Sequence, residues 1–206
     1  MTENRKVADF NKIDISGGFR VILHQDSSLN VNLTGDDNLL KYVQMGVEGG
    51  RLRIHNRKNI CSSREMVLNI GVRKLEGVKT AGAIDMQNQG TLNVQDIDLD
   101  FSGASTVTMN LNAANVHTEG SGSTEIHLSG QATSHKIDLS GSGHLYAYNF
   151  VTGTYNIITS GASYCEINVL KALKVNTSGA SDIKYKGSPA DVSSEKSGAS
   201  SVTKVD

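Results

Sequence analysis

Polar and apolar residues alternate along most of the second half of the chain, and the pattern recurs at a nearly fixed distance. Each recurrence is centred on a tetrapeptide of the form Ser-Gly-Ala-Ser, and every second residue on either side of it tends to be apolar. A period of two is typical of β-strands that bury one face. Intact or degenerate tetrapeptides begin at Ala81, Ser102, Ser121, Ser140, Ser160, Ser178 and Ser197.

Two positions that flank the tetrapeptide are apolar in nearly every copy. Five residues after its start stand Met86, Val107, Ile126, Leu145, Cys165, Ile183 and Val202. Three residues before its start stand Val78, Leu99, Thr118, Ile137, Ile157, Val175 and Ser194. We predict that each set forms a column of buried side chains, in which Cys165 behaves as a small hydrophobic residue.

The spacing of the tetrapeptides predicts the architecture. A period of about 19 residues is too short for a propeller blade or a helical-hairpin repeat, but it suits one coil of a β-solenoid. Residues 76–206 are therefore predicted to be a β-solenoid whose corners are the tetrapeptides. A catalytic serine is needed once, whereas these serines recur in every coil. We therefore interpret them as structural and expect no catalytic residue.

The first 75 residues follow a less regular pattern. Short alternating stretches predict strands, and 35–43 predicts one helical turn capped by Asp36 or Asp37. Residues 10–75 are predicted to be a β-rich part of the same domain that caps one end of the solenoid, because uncovered sheet edges promote aggregation. Residues 1–9 are predicted to be a disordered lead. They lack the apolar segment of a signal peptide, which we expect to have been removed.

The last predicted coil departs from the apolar columns. Ser194 stands where Val175 stands one coil earlier, and Lys204 stands where Tyr185 stands. Fewer buried apolar groups predict a weakly held end with an unpaired strand edge. A homo-oligomer that uses this end is therefore one of the expected assemblies.

Composition narrows the possible partners. The 206 residues carry a net charge of −1 and no run of Lys or Arg, which argues against nucleic acid. No stretch of 18 apolar residues exists, so no membrane span is predicted. One proline, no tryptophan and 21 glycines agree with a thin core of small and β-branched side chains.

One predicted strand carries candidate metal-binding or catalytic residues. Asp96, Asp98 and Asp100 place three carboxylates on one outward strand face, and clustered carboxylates occur in calcium-dependent carbohydrate-active β-helices. The alternative is a solvated face in which these carboxylates are interleaved with Lys79 and Lys136. We favour the solvated face, so these aspartates are weak candidates and no metal or other cofactor is predicted.

The histidines and cysteines give no metal-binding pattern. No His-x-His, His-x-x-x-His or Cys-x-x-Cys pair occurs. His117 is predicted to be exposed in an outward column, and His135 to face inward near the edge of its coil. A disulfide between Cys61 and Cys165 is not expected, because an inward side chain would have to meet one in an irregular loop.

Three segments in a fixed order resemble a known family. They are Phe10-x-x-Ile13-x-Ile15-x-Gly17-Gly18-Phe19-x-Val21, Gly35-Asp36-x-Asn38-Leu39-Leu40, and the serial Ser-Gly-Ala-Ser coils that end in Tyr185-Lys-Gly-x-Pro189. Over roughly 10–202 the chain resembles the "putative auto-transporter adhesin, head GIN domain" family, which was formerly a domain of unknown function and is common in Bacteroidetes. The resemblance implies a right-handed parallel β-helix and an exported, cell-surface or periplasmic location. It implies no catalytic or ligand-binding residue.

These observations favour a non-enzymatic adhesin module that binds a surface glycan or protein ligand along a flat flank. Coil lengths vary little, so no long active-site loop interrupts the predicted solenoid. Two alternatives remain: a carbohydrate-active enzyme of the β-helix type that uses Asp96, Asp98 and Asp100, and a structural module that assembles with copies of itself.

Overall fold

A computed structural model describes residues 1–57 and 65–206, and Cys61 lies outside them. In this part of the chain, eleven strands belong to one sheet and one short helix interrupts them. The elements are β1 (Thr2–Lys6), β2 (Lys12–Gln25), β3 (Asn30–Thr34), α1 (Asp37–Leu40), β4 (Val43–Glu48), β5 (Arg51–Asn56), β6 (Val67–Val72), β7 (Gly77–Gln89), β8 (Leu92–Asn93), β9 (Asp96–Lys186), β10 (Asp191–Gly198) and β11 (Ser201–Lys204). The predicted all-β class is confirmed.

Strand β9 keeps an extended backbone for 91 residues. A straight strand of that length would span about 300 Å, so the chain must turn repeatedly within it. The turns coincide with glycines at positive φ, a region that glycine reaches without steric cost. These are the tetrapeptide glycines Gly103 (90°), Gly122 (90°), Gly141 (87°), Gly161 (105°) and Gly179 (103°).

Successive segments around the tetrapeptides, which we call repeats, pair in parallel. Gly82 of β7 lies opposite Gly103 of β9, and Gly198 of β10 lies opposite Gly179. Inside β9, a methyl group added to a tetrapeptide glycine would collide with the backbone of the tetrapeptide glycine one repeat earlier. Each corner therefore lies directly against the preceding one.

The parallel pairing extends further toward the N terminus than the predicted boundary at residue 76. Strand β2 pairs with β7 along its length, with Gly17 opposite Gly82. The segment Ser16-Gly17-Gly18 is thus the first corner of the series. Strands β5 and β6 also pair in parallel with the two halves of β2, on the side of β2 away from β7.

Antiparallel pairs lie at the N-terminal end, where β1 pairs with β3, β3 with β6, and β4 with β5. The predicted disordered lead at 1–9 is therefore wrong for Thr2–Lys6, which form β1. This strand is polar throughout, and backbone pairing with β3 rather than burial holds it in place. The predicted helical turn is confirmed as α1, with Asp36 at the N-cap position.

Both predicted columns are in the core. The column from Met86 to Ile183 is fully buried, and the column from Val78 to Val175 is at most 2% exposed. The last repeat differs, because every residue of β10 is exposed. Val192 is 47% exposed. Lys196 lies in register with the buried Thr177, so a lysine occupies an inward position there.

Candidate functional site

The first serine of four tetrapeptides donates to the backbone of the preceding repeat. The Ser102 hydroxyl donates to the Thr80 carbonyl at 2.8 Å, and the Ser140 hydroxyl donates to the Gly120 carbonyl at 3.4 Å. Ser178 and Ser197 make the same kind of bond to the preceding repeat. These bonds connect neighbouring repeats, which agrees with a structural role.

The three aspartates of the acidic strand do not converge on a common point. Asp96 and Asp98 are exposed and Asp100 is half-buried, and each carboxylate contacts a different neighbour: Asp96 contacts Asn115 (2.6 Å), Asp98 contacts His117 (3.7 Å) and Asp100 contacts Lys79 (2.5 Å). The bond to Asp100 raises the pKa of the Lys79 ammonium. Within residues 1–57 and 65–206, no group of three or more His, Cys, Asp or Glu side chains could hold a metal ion.

His117 faces outward as predicted, but it is half-buried rather than exposed. Its ring lies between two carboxylates, with Nδ1 at 3.7 Å from Asp98 and Nε2 at 3.4 Å from Glu119. The flanking side chains therefore cover part of the ring that strand alternation alone would leave in solvent.

His135 is fully inside the core, not near its edge. Its Nε2 atom lies 2.8 Å from the Thr118 hydroxyl, and its ring centroid lies 5.2 Å from Tyr155 and 5.7 Å from Phe150. Burial disfavours the charged imidazolium, and nearby His117 adds to this, so the pKa of His135 falls to about 3. The side chain is thus a neutral polar group in an apolar core.

Acid should destabilise the protein through His135. The unfolded chain binds a proton at His135 below its usual pKa of about 6.5, whereas the folded chain does so only near pH 3, so stability falls across this window as pH is lowered. The free energy of unfolding should be about 3 kcal/mol lower at pH 4 than at pH 7. Urea unfolding at several pH values measures it. His135→Gln should lower the acid sensitivity by that amount, and an unchanged pH dependence would contradict the assignment.

A patch of aromatic rings covers the outer surface of three successive repeats. We call it the aromatic face, and it consists of His127, His144, Tyr146, Tyr148 and Tyr164. Each residue points outward because its neighbours along the strand are buried, and each is itself half-buried. His127 and Tyr146 occupy equivalent positions in adjacent repeats, as do His144 and Tyr164.

Four of the five rings, all but Tyr148, contact one another. His127 stacks on Tyr146 with centroids 4.8 Å apart and planes inclined by 16°. Tyr146 lies 5.9 Å from Tyr164 across the strands, and His144 lies 6.5 Å from Tyr146 and 6.4 Å from Tyr164. Contacts of this kind stabilise the arrangement of the rings.

Charged groups border the rings. The Tyr164 hydroxyl donates to Glu166 at 2.6 Å, and this bond raises the pKa of Tyr164 to about 12. The Lys184 ammonium lies 3.4 Å from the Tyr164 oxygen and 5.2 Å from its ring centroid. Lys186 reaches over the Tyr148 ring at 4.8 Å, a cation–π contact. Hydrogen-bonding groups thus surround an apolar centre.

Comparison with known proteins identifies the chain's relatives. Residues 9–189 match the model of the family described as "Putative auto-transporter adhesin, head GIN domain". The chain belongs to this family. No curated protein matches it.

Solved structures share the fold of this head GIN domain. A putative adhesin from Bacteroides fragilis NCTC 9343 has a TM-score of 0.94 at 23% identity, and a putative adhesin from Parabacteroides distasonis ATCC 8503 has 0.80 at 22%. A putative lipid binding protein from Parabacteroides distasonis ATCC 8503 has 0.78 at 20%. Each match covers 100% of this chain and 96% of the other. At these identities the likeness concerns the fold.

The aromatic face of this GIN domain was not evident from the apolar columns. It lies in the outward positions, and its two histidines, His127 and His144, belong to different repeats. Aligning outward residues by repeat would have placed His127 next to Tyr146 and His144 next to Tyr164. Across residues 1–57 and 65–206, no helix is long and apolar enough to cross a membrane.

Proposed function

We propose that this chain is a non-enzymatic module, exported or displayed at the cell surface, that binds a glycan along one flat flank of a right-handed parallel β-solenoid. The observation that carries the proposal is the aromatic face, a half-buried group of outward rings bordered by carboxylate and ammonium groups. Membership of a family described as adhesins supports a binding role.

The solenoid part of the proposal rests on the pairing of the repeats. Parallel pairs with offsets near 19 residues and glycine corners in mutual contact are the features expected when one chain winds through successive coils. The right-handed sense follows from the family resemblance and from the strong preference for right-handed connections between parallel strands. The antiparallel strands β1, β3 and β4 serve as the cap at the N-terminal end.

A glycan suits the aromatic face because of how its two kinds of surface are arranged. A pyranose ring presents an apolar C–H face and a rim of hydroxyl groups, and tyrosine combines an apolar ring with a polar edge. Side chains that border the rings supply donors and acceptors for the hydroxyl rim. The carbohydrate-active enzyme is disfavoured, because Asp96, Asp98 and Asp100 each contact a separate partner.

A glycan array followed by calorimetry tests the proposal. The unmodified protein should bind at least one glycan, and Tyr146→Ala should abolish most of that binding because it removes the central ring. Thr108→Ala is the matched control, since Thr108 is an exposed residue in the same column one repeat before His127. Failure to bind any glycan, or equal binding by Tyr146→Ala and Thr108→Ala, would reject the proposal.

A further inference from the structure

We infer that the glycan is a neutral saccharide chain that lies across the strands in contact with Tyr146 and Tyr164, with its hydroxyl groups donating hydrogen bonds to Glu125 and Glu166. This inference rests on the proposed function and specifies the ligand of the same face.

The size of the face favours a short stretch of saccharide over a protein partner. Its ring-bearing repeats and the bordering Ser178 repeat span about 14 Å across strands that are about 4.8 Å apart. Three outward positions along each strand span about 13 Å. The resulting area of roughly 200 Å² is far below the roughly 800 Å² that each partner buries in a stable protein–protein interface. The area of the aromatic face matches that of two or three sugar rings.

The direction of the saccharide follows from the order of the rings. His127, Tyr146 and Tyr164 belong to three successive repeats, and their ring contacts run from one strand to the next. Along the Tyr146 strand itself, the outward neighbours are His144 and Tyr148, and only His144 is in ring contact with Tyr146. The apolar track is therefore longest across the strands.

The charges of the face favour a neutral ligand. Glu125, Glu166 and Asp182 lie in three different repeats, so carboxylates accompany the track from end to end. Two lysines stand against these three carboxylates: Lys184 lies 3.7 Å from Asp182 and contacts Tyr164, and Lys186 lies over Tyr148. An acidic sugar would therefore meet a surplus of negative charge, whereas a sugar hydroxyl can donate to a carboxylate.

Glu125 and Glu166 keep capacity for these bonds. Glu166 accepts the Tyr164 hydroxyl through one oxygen. A carboxylate has two oxygens and about four acceptor sites, so Glu166 can accept a sugar hydroxyl as well. Glu125 is about half exposed and contacts only His127 among the bonds of the face, at 2.9 Å. Its second oxygen is available in the same way.

Calorimetry with defined oligosaccharides tests the inference. The probes are cellotetraose, mannotetraose and maltotetraose as neutral chains, with a galacturonate tetramer as the acidic chain of equal length. At least one neutral tetramer should bind more tightly than the acidic one. Tyr146→Ala should weaken that binding about tenfold or more, since an aromatic contact and its buried area are lost. Glu166→Gln should weaken it about threefold, and Tyr164→Phe, which keeps the ring, should change it less than Tyr146→Ala does.

The outcomes separate the inference from the proposed function. If the acidic tetramer binds best and loses binding in Tyr146→Ala, a neutral ligand is wrong while glycan binding at this face stands. If a neutral chain binds with equal affinity in Glu166→Gln, the role of the carboxylates is wrong. If binding does not depend on Tyr146, or if none of the tetramers binds, the inference fails together with the site. Unchanged thermal unfolding midpoints verify that each variant is folded.

Discussion

Ile126→Asp should destabilise the protein by at least about 4 kcal/mol, because it removes a large core side chain and places a charge in an apolar column. Ile126 is fully buried, as are its equivalents Val107 and Leu145 in the adjacent repeats. Because the column is continuous, water cannot reach the carboxylate without opening the repeats. Urea unfolding monitored by circular dichroism measures the loss.

Two control variants separate the effect of the buried charge from the effects of lost packing and of added charge alone. Ile126→Val should cost only about 1 kcal/mol, since it removes a single methyl group. Thr108→Asp introduces the same charge at an exposed outward position beside Val107, opposite Gln87, and should change stability by less than about 0.5 kcal/mol. If Ile126→Asp and Thr108→Asp had similar unfolding midpoints, the inward assignment of the column would be wrong.

Gly161→Ala should lower the free energy of unfolding by about 3 kcal/mol or more. Gly161 has a φ of 105°, which strains any residue with a side chain, and its added methyl carbon would lie 2.5 Å from the Gly141 carbonyl oxygen. That oxygen belongs to backbone, so relief would require the two repeats to separate. Chemical unfolding of the variant measures the cost.

Two other glycines separate the cost of backbone strain from the cost of the collision with the neighbouring backbone. Gly90 also has a positive φ, of 74°, but no atom lies within 4 Å of the added carbon, so Gly90→Ala should cost about 1 to 2 kcal/mol from backbone strain alone. Gly46 has neither positive φ nor a close neighbour, so Gly46→Ala should be close to neutral. Equal losses for Gly161→Ala and Gly90→Ala would show that the corners are not in tight contact.

The features predictable from sequence are those that repeat. The buried columns were evident because the same inward position is apolar in copy after copy, and chance does not sustain such a pattern over six repeats. Gly17 was not recognised as the first corner, because about 65 residues separate it from its partner Gly82 instead of about 19. Strand β1 was missed because pairing with β3, not burial, stabilises it, and edge pairing leaves no apolar pattern.

The candidate site was harder to predict than the fold. Outward positions carry no requirement for one kind of side chain, so His127, Tyr146 and Tyr164 do not form a pattern along the chain. Their relation appears only when the outward positions of successive repeats are aligned on the tetrapeptides. His135 was placed inward by strand alternation, but its depth depends on contacts with Thr118 and Tyr155 from other parts of the chain.

The exposed last repeat has a mechanical consequence. A pulling force applied beyond Lys204 would first load the hydrogen bonds that join β10 and β11 to β9, where few apolar contacts resist separation. Once that repeat peels away, the load passes to the next. Each released repeat of about 19 residues would add roughly 65 Å of extended chain. Stretching from this end would therefore dissipate work in small successive steps, and the aromatic face would keep its shape until the Ser178 repeat at its border gave way.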